Sequence, residues 1–372
     1  MHIAITLEHL SASAGGAEGF ALTVARELTA RGHRLTIYAA DGAVPAGVEA
    51  HFGPLAAAPA SLAALGPDLV VDWGLNGPAD LHRLGGGTHR EFQRIVLESK
   101  PPAVRLAKSL FYALSTHHRR VARREVALLS RPGVHVLAVS RFVAAQVART
   151  VALQPERLHV LHNGVDTRRF TPAACAGVRA AERARLGLGE RDVAFLLVAH
   201  NLALKGFSLL AEVFAALRER CPGARLVLMG RRQPRLAAPW FIYAGASGKP
   251  ETIYGAADVL LHPTYYDACA NVVLEALACG LPVVSSDRNG SAEVLSDGVD
   301  GIVLPVVGPR GNIAERWGAV VQELAAQPAR RERLGQAARR RAEALTISAY
   351  VDRFEELLRR VAAGRTSDRG SA

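Results

Sequence analysis

Short apolar segments alternate with amphipathic helical segments along nearly the whole chain, and this alternation constrains the fold more than any other feature. The first apolar segment covers residues 3–7, an amphipathic segment follows at 20–30, and the next apolar segment is 35–39. Strands separated by helices form parallel sheets that helices cover on both faces. The sequence therefore predicts an α/β protein of doubly wound, Rossmann-like architecture.

The alternation runs twice, which predicts two domains. A first series ends near residues 158–166, and a second begins at 194–198 after an Ala- and Arg-rich helical segment. A chain of 372 residues also exceeds one ordinary hydrophobic core. We predict an N-terminal domain over 1–165 and a C-terminal domain over 166–372, which includes closing C-terminal helices. Ligands of doubly wound sheets bind at the carboxyl ends of the strands, so we expect two lobes facing a cleft.

The formal charge of +11 has two possible sources. A polyanionic partner favours such a charge. However, only four of the 45 basic residues are lysines, and this preference for arginine beside abundant alanine and glycine is also typical of genome composition. The chain has no basic strand interleaved with aromatic residues and no recognisable nucleic-acid module, so we expect no nucleic-acid partner.

The cysteines and the N-terminus bear on the compartment. The cysteines show neither C-x-x-C spacing nor a Cys/His cluster, which favours buried free thiols in a reducing compartment. Residues 1–5 run directly into a strand-like segment, without the basic and apolar regions of a signal peptide. No apolar stretch reaches the roughly 18 residues of a membrane span. We expect a cytoplasmic protein.

The strongest chemical signal lies in residues 262–284. A predicted strand ends there, a loop carries Asp267, and a helix is expected to begin near Ala268. Glu275 follows Asp267 by eight residues, which is about 12 Å at 1.5 Å per residue and close to the span from a donor sugar across its diphosphate to a ribose. Phosphates bind well at a helix N-terminus, especially where small side chains let them approach. The residues expected to lie against the phosphates are Ala268, Cys269, Ala270 and Asn271. The alternative is a simple helix cap at Asp267 and a surface acid at Glu275.

Three further loops follow predicted strands. Residues 198–206, with Lys205 before a glycine, follow the first strand of the second half, where a phosphate-binding loop is expected. Gly15 and Gly16 lie between the first strand and the first helix, although tight turns need glycines too. Residues 85–90 form a third loop, in which His89 is a candidate site residue. A satisfied or exposed histidine is the alternative.

Together these residues resemble the family-4 retaining glycosyltransferases of GT-B fold, whose signature is E-x7-E. The loop at 85–90 is most similar to that of bacterial lipopolysaccharide core glucosyltransferases, which implies that His89 contacts the sugar or the acceptor. The resemblance implies that Asp267 holds the donor sugar, that Glu275 holds the ribose, and that His200 and Lys205 face the diphosphate. It also implies that the Gly15–Gly16 backbone lies against the leaving phosphates and the acceptor.

The chain departs from this family at two of these positions. Asp267 stands where the family has Glu, and His200 stands where it usually has Arg. Losing that arginine points to another phosphate ligand, such as Arg231 or Arg232 after the next strand, although both are also consistent with simple solvent exposure.

The resemblance implies transfer of a hexose, most commonly glucose from UDP-glucose, to a hydroxyl of a cell-envelope glycan or glycolipid, with retention. Negative charge then grows on the leaving diphosphate, which requires fixed positive potential. The candidate catalytic residues are Lys205, Asp267 and His89. No Asp-x-Asp motif ends a strand, so we expect neither a metal nor another cofactor. The alternatives are a sugar-nucleotide epimerase of the same fold and a basic nucleic-acid-binding protein.

The segment 100–124 carries seven basic residues and no acids. Apolar residues interleave with them, and a basic amphipathic segment of this kind lies readily on an anionic membrane surface. This predicts a peripheral protein on the inner membrane face. The alternative is a helix packed on its own domain with a solvated arginine face.

Overall fold

The computed structural model describes residues 1–10, 16–43 and 48–370, and it divides the chain into two compact units. Unit 1 comprises Met1–Asn163 together with Ile347–Ala372, and unit 2 is Gly164–Thr346. Each unit is an α/β layer structure on a parallel sheet, so the predicted fold class is confirmed.

Unit 1 holds a sheet that, among the described residues, has seven strands in the order β3-β2-β1-β4-β5-β6-β7. The strands are β1 (His2–Leu10), β2 (Arg34–Gly42), β3 (Glu49–Phe52), β4 (Leu69–Asp72), β5 (Leu81–Leu84), β6 (His135–Ala138) and β7 (Leu158–Val160). The helices are α1 (Ala17–Ala30), α2 (Ala58–Leu65), α3 (His89–Glu98), α4 (Pro102–Leu114), α5 (Thr116–Leu129) and α6 (Arg141–Thr150). Ile3 and Ile5 of β1 are fully buried, since helices cover both faces of a parallel sheet.

Unit 2 holds a sheet with the order β10-β9-β8-β11-β12-β13 in the part of the chain that is described. The strands are β8 (Val193–Val198), β9 (Ala224–Met229), β10 (Phe241–Gly245), β11 (Val259–His262), β12 (Val283–Ser286) and β13 (Ile302–Leu304). The helices are α7 (Pro172–Arg185), α8 (Phe207–Leu217), α9 (Pro250–Ala256), α10 (Asn271–Ala278), α11 (Arg310–Ala326) and α12 (Pro328–Glu343). Every residue of β8 is buried, as its uninterrupted apolar sequence requires at the centre of the sheet.

The last helix, α13 (Ile347–Gly370), packs on unit 1. The ring centroid of Tyr350 lies 4.9 Å from that of Phe20, and Phe354 lies 6.0 Å from Trp73. Residues 166–372 were predicted to form the second domain as one piece, and these aromatic contacts correct the assignment for α13. Amphipathic periodicity predicts that a helix buries one face, but it does not identify the sheet that the face meets.

Strand β5 was not predicted, because its two central residues are polar. Both are buried nonetheless. Nδ1 of His82 lies 2.9 Å from a carboxylate oxygen of Asp72, and the guanidinium of Arg83 lies 4.4 Å from the Trp73 ring centroid. Arg83 also donates to Tyr350 Oη at 3.2 Å. The glycine turn at 85–87 therefore follows β5 directly. Buried polar side chains of this kind need partners from distant segments, which a local sequence pattern does not show.

Candidate functional site

Two loops meet at one edge of the unit 2 sheet because the strands before them are neighbours. β8 pairs with β11 in parallel, so the loop after β8 and the loop after β11 leave the sheet on the same side. Tyr265 N donates to Leu204 O at 2.8 Å across the two loops. Gly206 has φ +75, and a Cβ there would lie 2.1 Å from the Pro263 carbonyl oxygen. Only glycine fits this contact, and the contact brings Lys205 to the end of β11.

The Lys205 ammonium donates to the Asp267 carboxylate at this edge. Nε2 of the buried His262 lies 3.3 Å from the same Asp267 oxygen. Burial alone would raise the pKa of Asp267, but the Lys205 charge and the contact with His262 together outweigh that effect, and the pKa lies well below its ordinary value. Burial lowers the pKa of His262. The edge thus holds an ion pair whose members are each about one-fifth exposed, 21% for Lys205 and 18% for Asp267, and within reach of a ligand.

Asn289 fixes the position of the Asp267 loop. Its Oδ1 accepts hydrogen bonds from Ala270 N at 3.3 Å and from Ser291 N at 3.0 Å. The Asp267 backbone forms hydrogen bonds with the residues before and after Asn289. Its N–H donates to Arg288 O, and its carbonyl accepts from Gly290 N, each at 2.9 Å. Asn289 was not predicted as a site residue from the sequence, although Asn before Gly290 and Ser291 is a typical local capping signal.

The helix of the acidic motif, α10, begins at Asn271 rather than near Ala268. Because Ala270 N donates to Asn289, the residues up to Ala270 stay in the loop, and the helix begins at the next residue. The expected phosphate-binding residues therefore divide into a buried loop, Ala268 to Ala270, and the first helical residue, Asn271. The side chains before the helix remain small, as close approach of a ligand to backbone requires.

Glu275 lies on the second turn of α10, half-buried, and its Oε2 accepts a 2.7 Å hydrogen bond from Tyr254 Oη. Burial raises the pKa of Glu275 above its ordinary value, whereas the Tyr254 hydroxyl lowers it. Tyr254 lies on α9 and is fully buried. Tyr254 was not identified from the sequence, because a lone tyrosine in a short helix carries no local signal of its partner.

His200 follows β8 and is exposed. Partial desolvation lowers the pKa of its imidazole, and the charges of Arg231 and Lys205 lower it further. The side chain is therefore neutral near pH 7 and does not supply the charge of the arginine that it replaces. Arg231 and Arg232 are exposed.

On unit 1, Gly16 precedes α1 with φ +84, a left-handed conformation that favours glycine. Gly15 lies outside the described residues. A concavity of about 290 Å³ lies at the carboxyl ends of β1 and β4. The described residues that bound it are Leu7, Glu8, His9, Glu18, Trp73, Gly74, Leu75 and Asn76. Unit 1 therefore offers a small acidic pocket at the edge where doubly wound sheets bind ligands.

His89 belongs to a separate cluster. It is the first residue of α3, and its backbone N–H donates to the Glu125 carboxylate at 2.9 Å. Its Nε2 lies 3.0 Å from His118 Nδ1 and 3.0 Å from Gln93 Nε2. Burial lowers the pKa of His89, and the neighbouring His118 lowers it further. These local contacts agree with a satisfied histidine, and His89 is not among the described residues that bound the 290 Å³ pocket.

Two family models match the chain. Residues 14–169 match the model described as "Glycosyltransferase Family 4", and residues 192–326 match the model described as "Glycosyl transferases group 1". Among curated proteins, a D-inositol 3-phosphate glycosyltransferase of Segniliparus rotundus is 29% identical over 218 residues, which are 54% of this chain and 46% of that protein. The enzyme of the same name from Salinispora arenicola is 32% identical over 211 residues, 50% of this chain and 46% of that one. The chain thus aligns with about half the length of these relatives.

Solved structures match over nearly the whole chain. WaaG, a glycosyltransferase involved in lipopolysaccharide biosynthesis, superposes with a TM-score of 0.79 at 22% identity, over 95% of this chain and 99% of that one. Anabaena Alr3699/HepE in complex with UDP and glucose gives 0.71 at 17% identity, over 96% and 99%. At these identities the likeness shows the fold. The chain thus has the GT-B fold of these structures, its first half matches the family-4 glycosyltransferase model, and its second half matches the group-1 glycosyltransferase model.

Proposed function

We propose that this enzyme transfers a hexose, glucose in the first instance, from a UDP-sugar to a hydroxyl of a cell-envelope glycan or glycolipid, with retention at the anomeric carbon. The observation that carries the proposal is the ion pair of Lys205 and Asp267 at the carboxyl edge of the unit 2 sheet, with Glu275 on the adjoining helix. The fold shared with a structure that holds UDP and glucose supports the choice of donor.

Each residue has a chemical role in this proposal. Asp267 stays ionised and accepts hydrogen bonds from the donor sugar's hydroxyls. Glu275 accepts from the ribose hydroxyls. Lys205 stabilises the negative charge that grows on the leaving diphosphate, and the N-terminus of α10 adds a favourable dipole. These groups need no metal to bind the phosphates.

The acceptor side of the proposal rests on the pocket of unit 1. Glu8 and Glu18 border it, and carboxylates accept hydrogen bonds from sugar hydroxyls while repelling phosphate groups. This favours an unphosphorylated acceptor ring, in contrast to the inositol phosphate named for the curated relatives. Phosphates elsewhere on a larger glycolipid are compatible with such a pocket.

A panel of sugar nucleotides tests the donor. At about 100 times its Kd, a ligand stabilises the folded state by about 2.7 kcal/mol, which for units of this size raises Tm by roughly 5–10 °C. We expect UDP-glucose to give such a shift in excess chelator, and ADP-glucose and GDP-mannose to give less. A panel without any shift contradicts the donor assignment. A shift that needs added Mg²⁺ or Mn²⁺ contradicts metal-independent binding.

We also propose that α4 and α5 bind an anionic membrane surface. None of the residues of α4 is buried, and its apolar side chains are exposed by 65% at Leu106, 55% at Leu110, 60% at Phe111 and 73% at Leu114. α5 buries Leu128 and Leu129 on unit 1 and exposes its arginines. An exposed apolar face beside basic residues is typical of interfacial helices. Among the described residues, no helix has the length and apolar content to cross a bilayer.

Liposome sedimentation tests the membrane proposal. Each basic residue near an anionic bilayer contributes about 1 kcal/mol, screened within a Debye length of about 10 Å at 0.1 M salt. We expect binding to phosphatidylglycerol vesicles at low salt, release at high salt, and little binding to phosphatidylcholine. Replacing Arg119, Arg120 and Arg123 by Gln should abolish binding. Arg124 is left in place because it donates to the Asn76 carbonyl.

The matched control removes the same charge from other exposed helices, as Arg316→Gln, Arg333→Gln and Arg340→Gln. This control should sediment like the unmodified protein. Equal loss in both triple variants would mean that net charge, and not this surface, governs binding. Absence of binding to anionic vesicles at low salt would overturn the membrane proposal and favour a soluble acceptor.

A further inference from the structure

The strand ends of unit 2 place one more cation beside the candidate donor site. β8 and β9 are parallel neighbours in register up to Val198 and Met229, and Ala199 N donates to Met229 O at 2.9 Å. A Cβ at Gly230 would lie 2.0 Å from the Ala199 carbonyl oxygen, so the two chains leave the sheet in direct backbone contact.

His200 and Arg231 are the next residues of these two chains. Adjacent strands lie about 4.8 Å apart, so two residues that follow such a contact begin as neighbours. On the other side of β8, β11 leads to Asp267. The carboxyl edge of the sheet therefore presents Arg231, then His200 with Lys205, then Asp267.

The backbone before Arg231 is held on both sides. Gly230 N donates to Gly245 O at 2.9 Å, and Tyr243 Oη donates to Gly230 O at 2.8 Å. The guanidinium itself is exposed and has no hydrogen bond or ion pair to another residue of the described chain. Arg231 is thus a cation with a fixed base and an unengaged head group.

Without Arg231, the side chains described at this edge carry too little positive charge to balance a diphosphate. A sugar nucleotide carries two negative charges on its diphosphate. The charge of Lys205 is balanced by Asp267, and His200 is neutral near pH 7 because partial desolvation and the charges of Arg231 and Lys205 lower its pKa. Anionic ligands bind where the protein supplies positive potential, and the planar fork of an arginine matches phosphate oxygens.

We propose that Arg231 binds the diphosphate of the donor and supplies there the positive charge that His200 does not. This inference rests on the proposed function, since it assumes a sugar-nucleotide donor at this edge. Because negative charge on the diphosphate increases as the sugar departs, Arg231 contributes both to donor binding and to stabilisation of the leaving group.

Steady-state kinetics with UDP-glucose, together with calorimetric binding of UDP, test the inference in single variants and in one double variant. Arg231→Gln should weaken UDP binding and lower kcat/KM by about tenfold. Arg235→Gln, an exposed arginine four residues further along the same loop, is the charge-matched control and should change kcat/KM by less than about twofold. Arg232→Gln shows which of the two adjacent arginines binds the diphosphate.

A positive charge placed at the end of the neighbouring strand should restore the kcat/KM that Arg231→Gln loses. His200→Arg in the Arg231→Gln background should recover most of the lost kcat/KM. Three outcomes would overturn the role of Arg231. These are equal losses of kcat/KM in the Arg231, Arg232 and Arg235 variants, a loss confined to Arg232→Gln, and no recovery of kcat/KM in the double variant.

The outcomes also separate this inference from the proposed function. If Arg231→Gln behaves like the unmodified enzyme while Lys205→Ala loses activity, the role of Arg231 is wrong and the donor site stands. If the unmodified protein binds no UDP and no sugar nucleotide, both are wrong.

Discussion

Lys205→Ala is expected to lower kcat about a hundredfold. Removing one group that stabilises developing charge costs on the order of 3 kcal/mol, and each 1.4 kcal/mol is a factor of ten in rate. The substitution also leaves the partly buried Asp267 carboxylate without its cationic partner. Single-turnover and steady-state rates with UDP-glucose measure the effect, and the loss should appear mainly in kcat.

Lys249→Ala is the matched control, since Lys249 is an exposed lysine of the same unit. It should keep the full rate. The double variant Lys205→Ala with Asp267→Ala tests whether Lys205 only balances the charge of Asp267. Because Asp267 also has its own role at the donor sugar, the double variant should be no faster than Lys205→Ala, and a restored rate would contradict the roles of both residues.

Glu275→Gln is expected to raise the donor KM by about 10–100-fold, the range for losing a hydrogen bond to a charged acceptor. The same residue predicts the pH dependence. Because burial raises the pKa of Glu275, its carboxylate is protonated at higher pH than a free glutamate, and the donor KM should rise as the pH falls through that raised pKa. The variant should lose this acid limb.

Tyr254→Phe tests the role of Glu275 through its hydrogen-bond partner. The Tyr254 hydroxyl lowers the pKa of Glu275, so its removal should move the acid limb of KM to higher pH while kcat at neutral pH changes little. Glu219→Gln, at an exposed glutamate of unit 2, is the control. An unchanged acid limb in both the Glu275 and Tyr254 variants would contradict Glu275 as the ribose ligand.

The sequence predicted the elements that carry a strong local signal. Strand β8 was predicted over 194–198, within a residue of its observed bounds, because a strand buried on both faces is apolar throughout. β5 was not predicted, since His82 and Arg83 look like surface residues until Asp72 and Tyr350 are seen beside them. Long-range partners decide such cases, and spacing along the chain does not contain them.

The residues of the candidate site also fall into those that the sequence predicted and those that it did not. Lys205, Asp267 and Glu275 were selected from motifs at strand ends and from family resemblance, and the structure brings Lys205 and Asp267 into contact. Their ion pair was not foreseen, because it depends on the close approach of Gly206 to Pro263. Asn289 and Tyr254, which position the acids, were missed because their roles come from burial and from contacts across loops.

The return of α13 to unit 1 has a consequence for the order of assembly on the ribosome. The core of unit 1 includes Tyr350, Phe354 and Leu358, yet all of unit 2 is synthesised before them. At about 5–20 residues per second, that delay is roughly 10–40 s. During this interval the face of α1 that receives α13 lacks its cover, whereas the sequence of unit 2 is complete when the interval ends. The half of the enzyme that is translated first is therefore the half that completes its fold last.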